Sequence, residues 1–112
     1  MQVNLEEMGN ISVVRVQGDI DINSSPDVKK SFDDLIQNKK EKVVVNLKEV
    51  DYVDSSGLAT LVEVLKKLRS YGGSLKLTNL SEKVLGLFEI TKLNKLFDIV
   101  DDESGALSSF GN

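Results

Sequence analysis

The feature that most constrains this chain is a regular alternation between short apolar runs and longer segments that bear an apolar stripe. The runs at residues 11–16, 43–47 and 75–78 have the length and the β-branched or leucine-rich content of strands. The run at 43–47 is almost uninterrupted, which is typical of a central strand covered on both faces. Because alternating strands and helices build right-handed βαβ units on a parallel sheet, we expect an α/β fold.

Two apolar stripes with helical spacing predict the core faces of the first two helices. We expect the first helix to begin near residues 24–26, where serines suited to capping precede a proline. The second should run from residue 56 to about residue 71 and stop at the glycine pair that follows. The stripes consist of Val28, Phe32, Leu35 and Ile36 in the first helix and of Leu58, Leu61, Val62, Leu65 and Leu68 in the second.

The two ends of the chain complete the predicted sheet. Residues 2–6 can form an edge strand, and a tight turn at residues 9–10 would pair it antiparallel with the next strand. Towards the other end we expect a third helix capped by Ser81, a further helical turn, and a last edge strand at 97–100. The tail, residues 101–112, is acidic and then small and polar, which is compatible with a loose helix or with no fixed structure.

The predicted fold class is therefore α/β. We expect a mostly parallel sheet of four to five strands with an antiparallel N-terminal hairpin and with helices packed on it. The 112 residues suit one domain.

The residue types that are missing restrict the chemistry. The chain contains no cysteine and no histidine, which removes disulfides, thiolate metal sites and the usual general base. The net charge of −4 argues against a nucleic-acid surface. No apolar run has the length of a signal peptide or of a membrane span. We therefore expect a cytoplasmic, monomeric protein that is not an enzyme and needs no cofactor, metal, nucleic acid or membrane.

Acidic residues follow the strands at the edge of the sheet where function gathers in parallel α/β folds. Asp19 and Asp21 come directly after the strand at 11–16, and Asp54 ends the segment that leads into the second helix. If the sheet is parallel, these two acidic turns lie side by side.

Next to Asp54 stands a doubled serine, Ser55 and Ser56, at the predicted start of the second helix. One hydroxyl can cap the helix, which is worth about 1 kcal/mol, while the other faces solvent. A helix N-terminus also favours an anion, so a phosphate attached here would be tolerated. It would add about −1.5 to −2 charges to an acidic surface and repel a docked partner. From these residues alone, a simple cap and a phosphorylation switch are both open.

A family resemblance adds to this interpretation. Residues 53–58, VDSSGL, resemble the phosphorylation motif of the bacterial anti-sigma factor antagonists, the small single-domain members of the STAS family. Residues 16–21, VQGDID, are similar to that family's Gly-acidic-hydrophobic-Asp turn. The resemblance continues through 43–47, 72–73 and 83–96 and so covers nearly the whole chain.

The resemblance implies a switch in which the serine directly after the aspartate, here Ser55, is phosphorylated. The unphosphorylated form would bind an anti-sigma factor, commonly a serine kinase, and free the sigma factor. The kinase would inactivate the antagonist, and a serine phosphatase would restore it. Ser56 would bond nearby backbone, and Gly57 would permit close packing or a close approach of the partner. The implied partner-binding residues are Asp19, Asp21, Asn23, Ser24, Asp54, Ser55, Ser56 and Gly57.

Other functions compete with this one. Asp19, Asp21 and Asp54 could imitate the Mg²⁺ pocket of an aspartyl-phosphate receiver. A receiver, however, begins with a βα unit and needs a lysine after its last core strand, which residues 97–100 lack. A second alternative is a STAS scaffold of a larger signalling or transport assembly, without a phosphoswitch. A serine hydrolase is disfavoured because no histidine can activate Ser55.

Overall fold

The computed structural model describes residues 1–110 and arranges them around one five-stranded sheet. The chain runs through β1 (Gln2–Met8), β2 (Ile11–Gln17), α1 (Ser25–Gln37), β3 (Lys42–Glu49), α2 (Ser55–Arg69), β4 (Ser74–Thr78), α3 (Glu82–Ile90), β5 (Asp98–Val100) and α4 (Glu103–Phe110). A 3-10 turn at Leu93–Lys95 links α3 to β5.

The strands lie in the sheet in the same order as in the chain, β1-β2-β3-β4-β5. Strands β1 and β2 form an antiparallel hairpin that turns at Gly9, whose φ is +64°. Strands β2 to β5 are parallel neighbours. The connections between them are crossovers that contain α1, α2 and α3. The predicted α/β class, the N-terminal hairpin and the parallel sheet are all confirmed. The carboxyl ends of β2, β3 and β4 therefore share one edge.

Helices α1, α2 and α3 cover one face of the sheet and form the main core. Every second residue of the central strands points into it, as the alternation within β3 shows: Val43, Val45 and Leu47 belong to this cluster and Val44 does not. Phe88 of α3 packs edge-to-face on Phe97, with ring centroids 5.5 Å apart. Because each of these helices follows a strand that ends at the carboxyl edge, all three begin at that edge of the sheet.

The core stripe of α2 differs in one position from the predicted stripe. Its innermost residues are Leu61, Val64, Leu65 and Leu68. These fall at i, i+3, i+4 and i+7, whereas Val62 lies on the flank of the stripe and is only partly buried. The helix also ends at Arg69, two residues earlier than expected, and Gly72 then takes a φ of +90° that favours glycine.

The opposite face of the sheet is covered by α4. Ala106 packs against Ile11, Val13 and Val44 and is fully buried. Both faces of β3 are thus covered, as its apolar run indicated. For the tail, the sequence was compatible with either a loose helix or no fixed structure. In the structure, residues 103–110 of the tail form a packed helix. Residues 111–112 lie outside the described residues.

Candidate functional site

The turn after β2 and the turn after β3 are joined at the carboxyl edge of the sheet. Ile20 and Val53 form an isolated parallel bridge beyond the named strands. The Ile20 backbone N–H donates to the Tyr52 carbonyl at 2.9 Å, and the Asp54 N–H donates to the Ile20 carbonyl at 3.0 Å. The structure therefore brings the two acidic turns together, and the start of α2 lies directly beside them.

Asp54 is the N-cap of α2, and its carboxylate has two backbone donors. Oδ1 accepts the Gly57 N–H at 2.9 Å, while Oδ2 accepts the Ile22 N–H at 3.1 Å. The sequence left open that one of the two serines caps this helix; in the structure the cap is Asp54 and neither serine. A carboxylate can accept from the helix and from the neighbouring turn at the same time, which a single serine hydroxyl in this position does not do.

Ser55 and Ser56 are the first two residues of α2. The Ser55 side chain is exposed and Ser56 is partly exposed. Within residues 1–110, neither hydroxyl makes a hydrogen bond, so the expected bond from Ser56 to nearby backbone is not formed. Ser55 thus presents a free hydroxyl to solvent at the positive end of a 15-residue helix.

The turn before α1 is closed by its own side chains. Asp21 Oδ1 accepts the N–H groups of Asn23 and Ser24, at 2.9 and 3.0 Å. The bond from Ser24, supported by that from Asn23, holds the pKa of Asp21 below its ordinary value. The Ser24 hydroxyl accepts from the Asp21 N–H and donates to the Asp19 carbonyl at 2.7 Å. Ser24 stands at the cap position of α1, but its hydroxyl bonds back into the turn and not to the helix.

Two of the residues expected to bind a partner face inward. Ser24 is buried within its turn, and Gly57 is buried against the Ile20–Val53 bridge. A Cβ on Gly57 would lie 2.5 Å from the Ile20 carbonyl oxygen and 2.8 Å from Val53 Cγ1. The sequence allowed two roles for Gly57, close packing or a close approach of the partner. In the structure, Gly57 packs closely against the backbone of Ile20. Asp19, Asn23 and Ser55 are exposed, and Asp21, Asp54 and Ser56 are partly exposed.

Sequence reasoning missed two exposed apolar side chains at this edge. Ile22 is 70% exposed between Asp21 and Asn23, and Tyr52 is 41% exposed two residues before Asp54. The Lys83 ammonium of α3 lies over the Tyr52 ring, 5.6 Å from its centroid. The available signal was an isoleucine between two polar residues, Asp21 and Asn23, that lies outside every predicted strand and helix.

The charge at this edge is negative. Asp19, Asp21, Asp51 and Asp54 form no ion pair with any residue of the described part of the chain, although ion pairs occur elsewhere on the molecule. No three acidic side chains in residues 1–110 converge on a point where a cation could bind. The acceptor oxygens of Asp21 and Asp54 are instead directed at backbone N–H groups. In the same residues, no helix is long and apolar enough to cross a bilayer.

Comparison with known proteins assigns this architecture to a family. Residues 2–106 match the STAS domain, and the chain belongs to the STAS family. Within it, the chain groups with the single-domain anti-sigma factor antagonists. It is 35% identical over 107 residues to the anti-sigma-B factor antagonist of Bacillus subtilis (strain 168), covering 96% of this chain and 97% of that one.

Solved structures share the fold over nearly the whole length. An anti-sigma factor antagonist from Mycobacterium paratuberculosis superposes with a TM-score of 0.90 at 22% identity, covering 99% of this chain and 94% of the other. The anti-sigma factor antagonist SpoIIAA in its unphosphorylated form gives a TM-score of 0.78 at 19% identity, with 99% of both chains covered. The phosphorylated form of SpoIIAA gives 0.75 at the same identity, with 97% and 99% covered. At these identities the likeness concerns the fold.

Proposed function

We propose that this protein is an anti-sigma factor antagonist controlled by phosphorylation of Ser55. In its unphosphorylated form it binds an anti-sigma factor that is also a serine kinase, and the sigma factor is released. The kinase ends this binding by phosphorylating Ser55, and a serine phosphatase restores it. The observation that supports the proposal most directly is the exposed, unbonded hydroxyl of Ser55 on the first residue of α2, in a chain 35% identical to a named antagonist.

The electrostatics of the edge explain how a phosphate would act. The N-terminus of α2 tolerates an anion because its first N–H groups and its dipole are positive there. The phosphate adds about −1.5 to −2 charges beside Asp54, next to the turn that holds Asp19 and Asp21. A partner that docks on this edge would lose its fit, since the phosphate occupies the contact and its strongly hydrated charge would have to lose water before the two surfaces could close. Phosphorylation therefore acts on the surface of a folded protein.

In this proposal the chain is a substrate and a binding protein, not an enzyme. The sequence has no histidine, and no side chain of residues 1–110 bonds to the Ser55 hydroxyl to activate it as a nucleophile. A receiver-type Mg²⁺ site receives no support, because the Asp54 carboxylate accepts two backbone N–H groups. We place the protein in the cytoplasm as a monomer, together with its kinase and phosphatase, without a cofactor and away from nucleic acid and membrane.

Phosphorylation mapping tests the proposal. Wild-type protein is incubated with the anti-sigma factor kinase and ATP, and the modified residue is located by mass spectrometry. We expect phosphate on Ser55 in the wild type and in the matched control Ser56→Ala, and none in Ser55→Ala. Phosphate on Ser56 instead, or on neither serine, would contradict the switch.

Binding to the same anti-sigma factor provides the second half of the test. Ser55→Ala should fold and bind whether or not kinase and ATP are present. Ser55→Asp should bind at least about ten-fold more weakly, because a larger, hydrated carboxylate replaces the small hydroxyl at the exposed start of α2 and must lose water when the partner covers it. Equal binding by the two variants would mean that charge at this position is not the control.

A further inference from the structure

Ile22 is an apolar side chain held out to solvent by a turn that leaves it little freedom. Its side chain is 70% exposed, between the polar residues Asp21 and Asn23. Single exposed apolar side chains are common on protein surfaces, so exposure alone gives Ile22 no role. What distinguishes Ile22 is the fixed turn that presents it and the hydrogen bond from its N–H to Asp54, next to Ser55.

The backbone around Ile22 is fixed from several sides. Before it, the Asp21 N–H donates to the Ser24 hydroxyl at 2.9 Å. After it, the Asn23 and Ser24 N–H groups donate to the Asp21 carboxylate, and the Ser25 hydroxyl donates to the Asp21 carbonyl at 2.7 Å. A side chain presented by such a turn loses little backbone entropy when a partner covers it.

Asp54 connects this turn to the phosphorylation site. Its Oδ2 accepts the N–H of Ile22 itself, at 3.1 Å, and its Oδ1 accepts from Gly57 in the first turn of α2. One carboxylate thus sets the position of Ile22 relative to the helix start that bears Ser55. Asp54 is in this respect a positioning residue.

The surroundings of Ile22 indicate what kind of surface it meets. Asp19, Asp21 and Asp54 flank it without an ion pair in residues 1–110, so their charges are available to basic groups of a partner. The described part of the chain also contains no pocket. The surface offers a projecting apolar group with an acidic border, and a matching partner offers a recess with a basic border.

We propose that Ile22 is the apolar anchor of the docking surface, inserting into an apolar recess of the anti-sigma factor that is bordered by lysine or arginine, with Asp54 holding it in register with Ser55. This inference rests on the proposed function and adds to it the residue that contributes most of the apolar contact. Central apolar anchors of this kind dominate the energy of many interfaces, while the charged border governs the rate of association.

Calorimetric titration of the anti-sigma factor with three unphosphorylated proteins tests the anchor. Ile22→Ala should raise Kd about ten-fold or more, chiefly through faster dissociation, because the side chain is removed from the centre of the contact. Leu5→Ala is the matched control: Leu5 is 51% exposed on the edge strand β1, away from the carboxyl edge, and its loss should leave Kd within about two-fold of wild type. Both side chains are exposed, so both variants should fold.

The outcomes separate this inference from the proposed function. Tight binding of the wild type with equal Kd values for Ile22→Ala and Leu5→Ala overturns the anchor and leaves the antagonist function standing. No binding by the wild type overturns both.

Asp54→Asn tests the positioning role by a measurement independent of the partner. An amide has one acceptor oxygen and an NH₂ group, so it cannot accept the N–H groups of both Ile22 and Gly57 on separate oxygens. We expect the Ile22 amide proton to exchange with solvent several-fold faster in this variant, measured by NMR, whereas Ile22→Ala should keep the amide at position 22 protected. Unchanged exchange in Asp54→Asn would rule out the positioning role.

Discussion

At Gly57 the first turn of α2 rests on the backbone of the turn after β2. A Cβ at this position would lie 2.5 Å from the Ile20 carbonyl oxygen and 2.8 Å from both Ile20 Cγ2 and Val53 Cγ1. The nearest of these atoms is backbone and belongs to the bridge that joins the two turns of the site. The absence of a side chain at Gly57 is therefore a condition for the geometry around Ser55.

We expect Gly57→Ala to lower the free energy of unfolding by about 2 kcal/mol, since the cost of overpacking exceeds the gain of about 1 kcal/mol in helix propensity. Gly86→Ala in α3 is the control, because a Cβ there meets nothing within 4 Å. That change should be neutral or stabilising by up to about 1 kcal/mol. Urea denaturation measures both. A Gly57→Ala midpoint equal to that of the wild type would show that the turn moves aside at no cost.

The cap of α2 shows why residue-level detail of the site could be predicted only in part. Asp54, Ser55 and Ser56 are all residue types that cap helices well, so local preference does not choose among them. The choice depends on the Ile22 N–H, which comes from a turn more than 30 residues earlier and gives the carboxylate its second donor. The motif was enough to predict the position of the exposed serine. The hydrogen-bond donors to the neighbouring Asp54 could not be predicted, because one of them depends on a tertiary contact.

Among the elements, the helices of the main core were predictable and α4 was not. The stripes of α1 and α2 have helical periodicity that is visible in the sequence. They differ from the prediction in that Ile36 and Val62 are only partly buried and that Val64 joins the core. Helix α4 has a short and mostly polar sequence, ESGALSSF, with little periodicity to detect. It is held by Glu103, which bonds to residues far away in the sequence, and such contacts leave no local pattern.

Glu103 ties α4 to the face of the sheet opposite α1, α2 and α3. Its two carboxylate oxygens accept from Arg15 of β2 at 3.0 and 2.8 Å, and Oε1 also accepts from the Asn46 amide of β3 at 3.0 Å. The hydrogen bonds from Arg15 lower the pKa of Glu103, and the Asn46 bond adds to the effect. The stabilisation from a lowered pKa is complete above the pKa of the unfolded chain, about 4.3, and is lost as pH falls through the folded pKa.

Glu103→Gln should therefore cost about 1 kcal/mol of stability at pH 7, and the difference from wild type should shrink as pH is lowered from about 5 towards 3. The control is Glu6→Gln, which removes the other carboxylate on Arg15, an exposed one 2.7 Å away. Its effect should be below about 0.5 kcal/mol. Urea unfolding across this pH range is the measurement. A difference for Glu103→Gln that stays constant with pH would exclude ionisation of Glu103 as its source.

At the scale of the whole molecule, the proposed binding residues lie apart from the helix that covers the second face of the sheet. The exposed serine, Ile22 and the acidic turns lie at the carboxyl edge of the sheet, whereas α4 and its Arg15–Glu103 contact lie on the face opposite α1, α2 and α3. The order of elements along the sequence was enough to predict that edge, because parallel strands bring their carboxyl ends together. A charge added at the edge can thus change binding without entering either core cluster.

This separation predicts that phosphorylation of Ser55 leaves the protein folded. The phosphate gains about 0.3–1 kcal/mol from the N-terminus of α2, and its repulsion by Asp54 is of similar size at an exposed site. The net change in stability should stay within about 1 kcal/mol, which corresponds to a shift in Tm of less than about 8 °C for a domain of this size.

Thermal unfolding of fully phosphorylated wild type is compared with that of Ser55→Ala carried through the same kinase reaction. Any difference should diminish with added salt, because both contributions are electrostatic. Loss of the cooperative transition on phosphorylation would mean instead that the switch works by unfolding the domain.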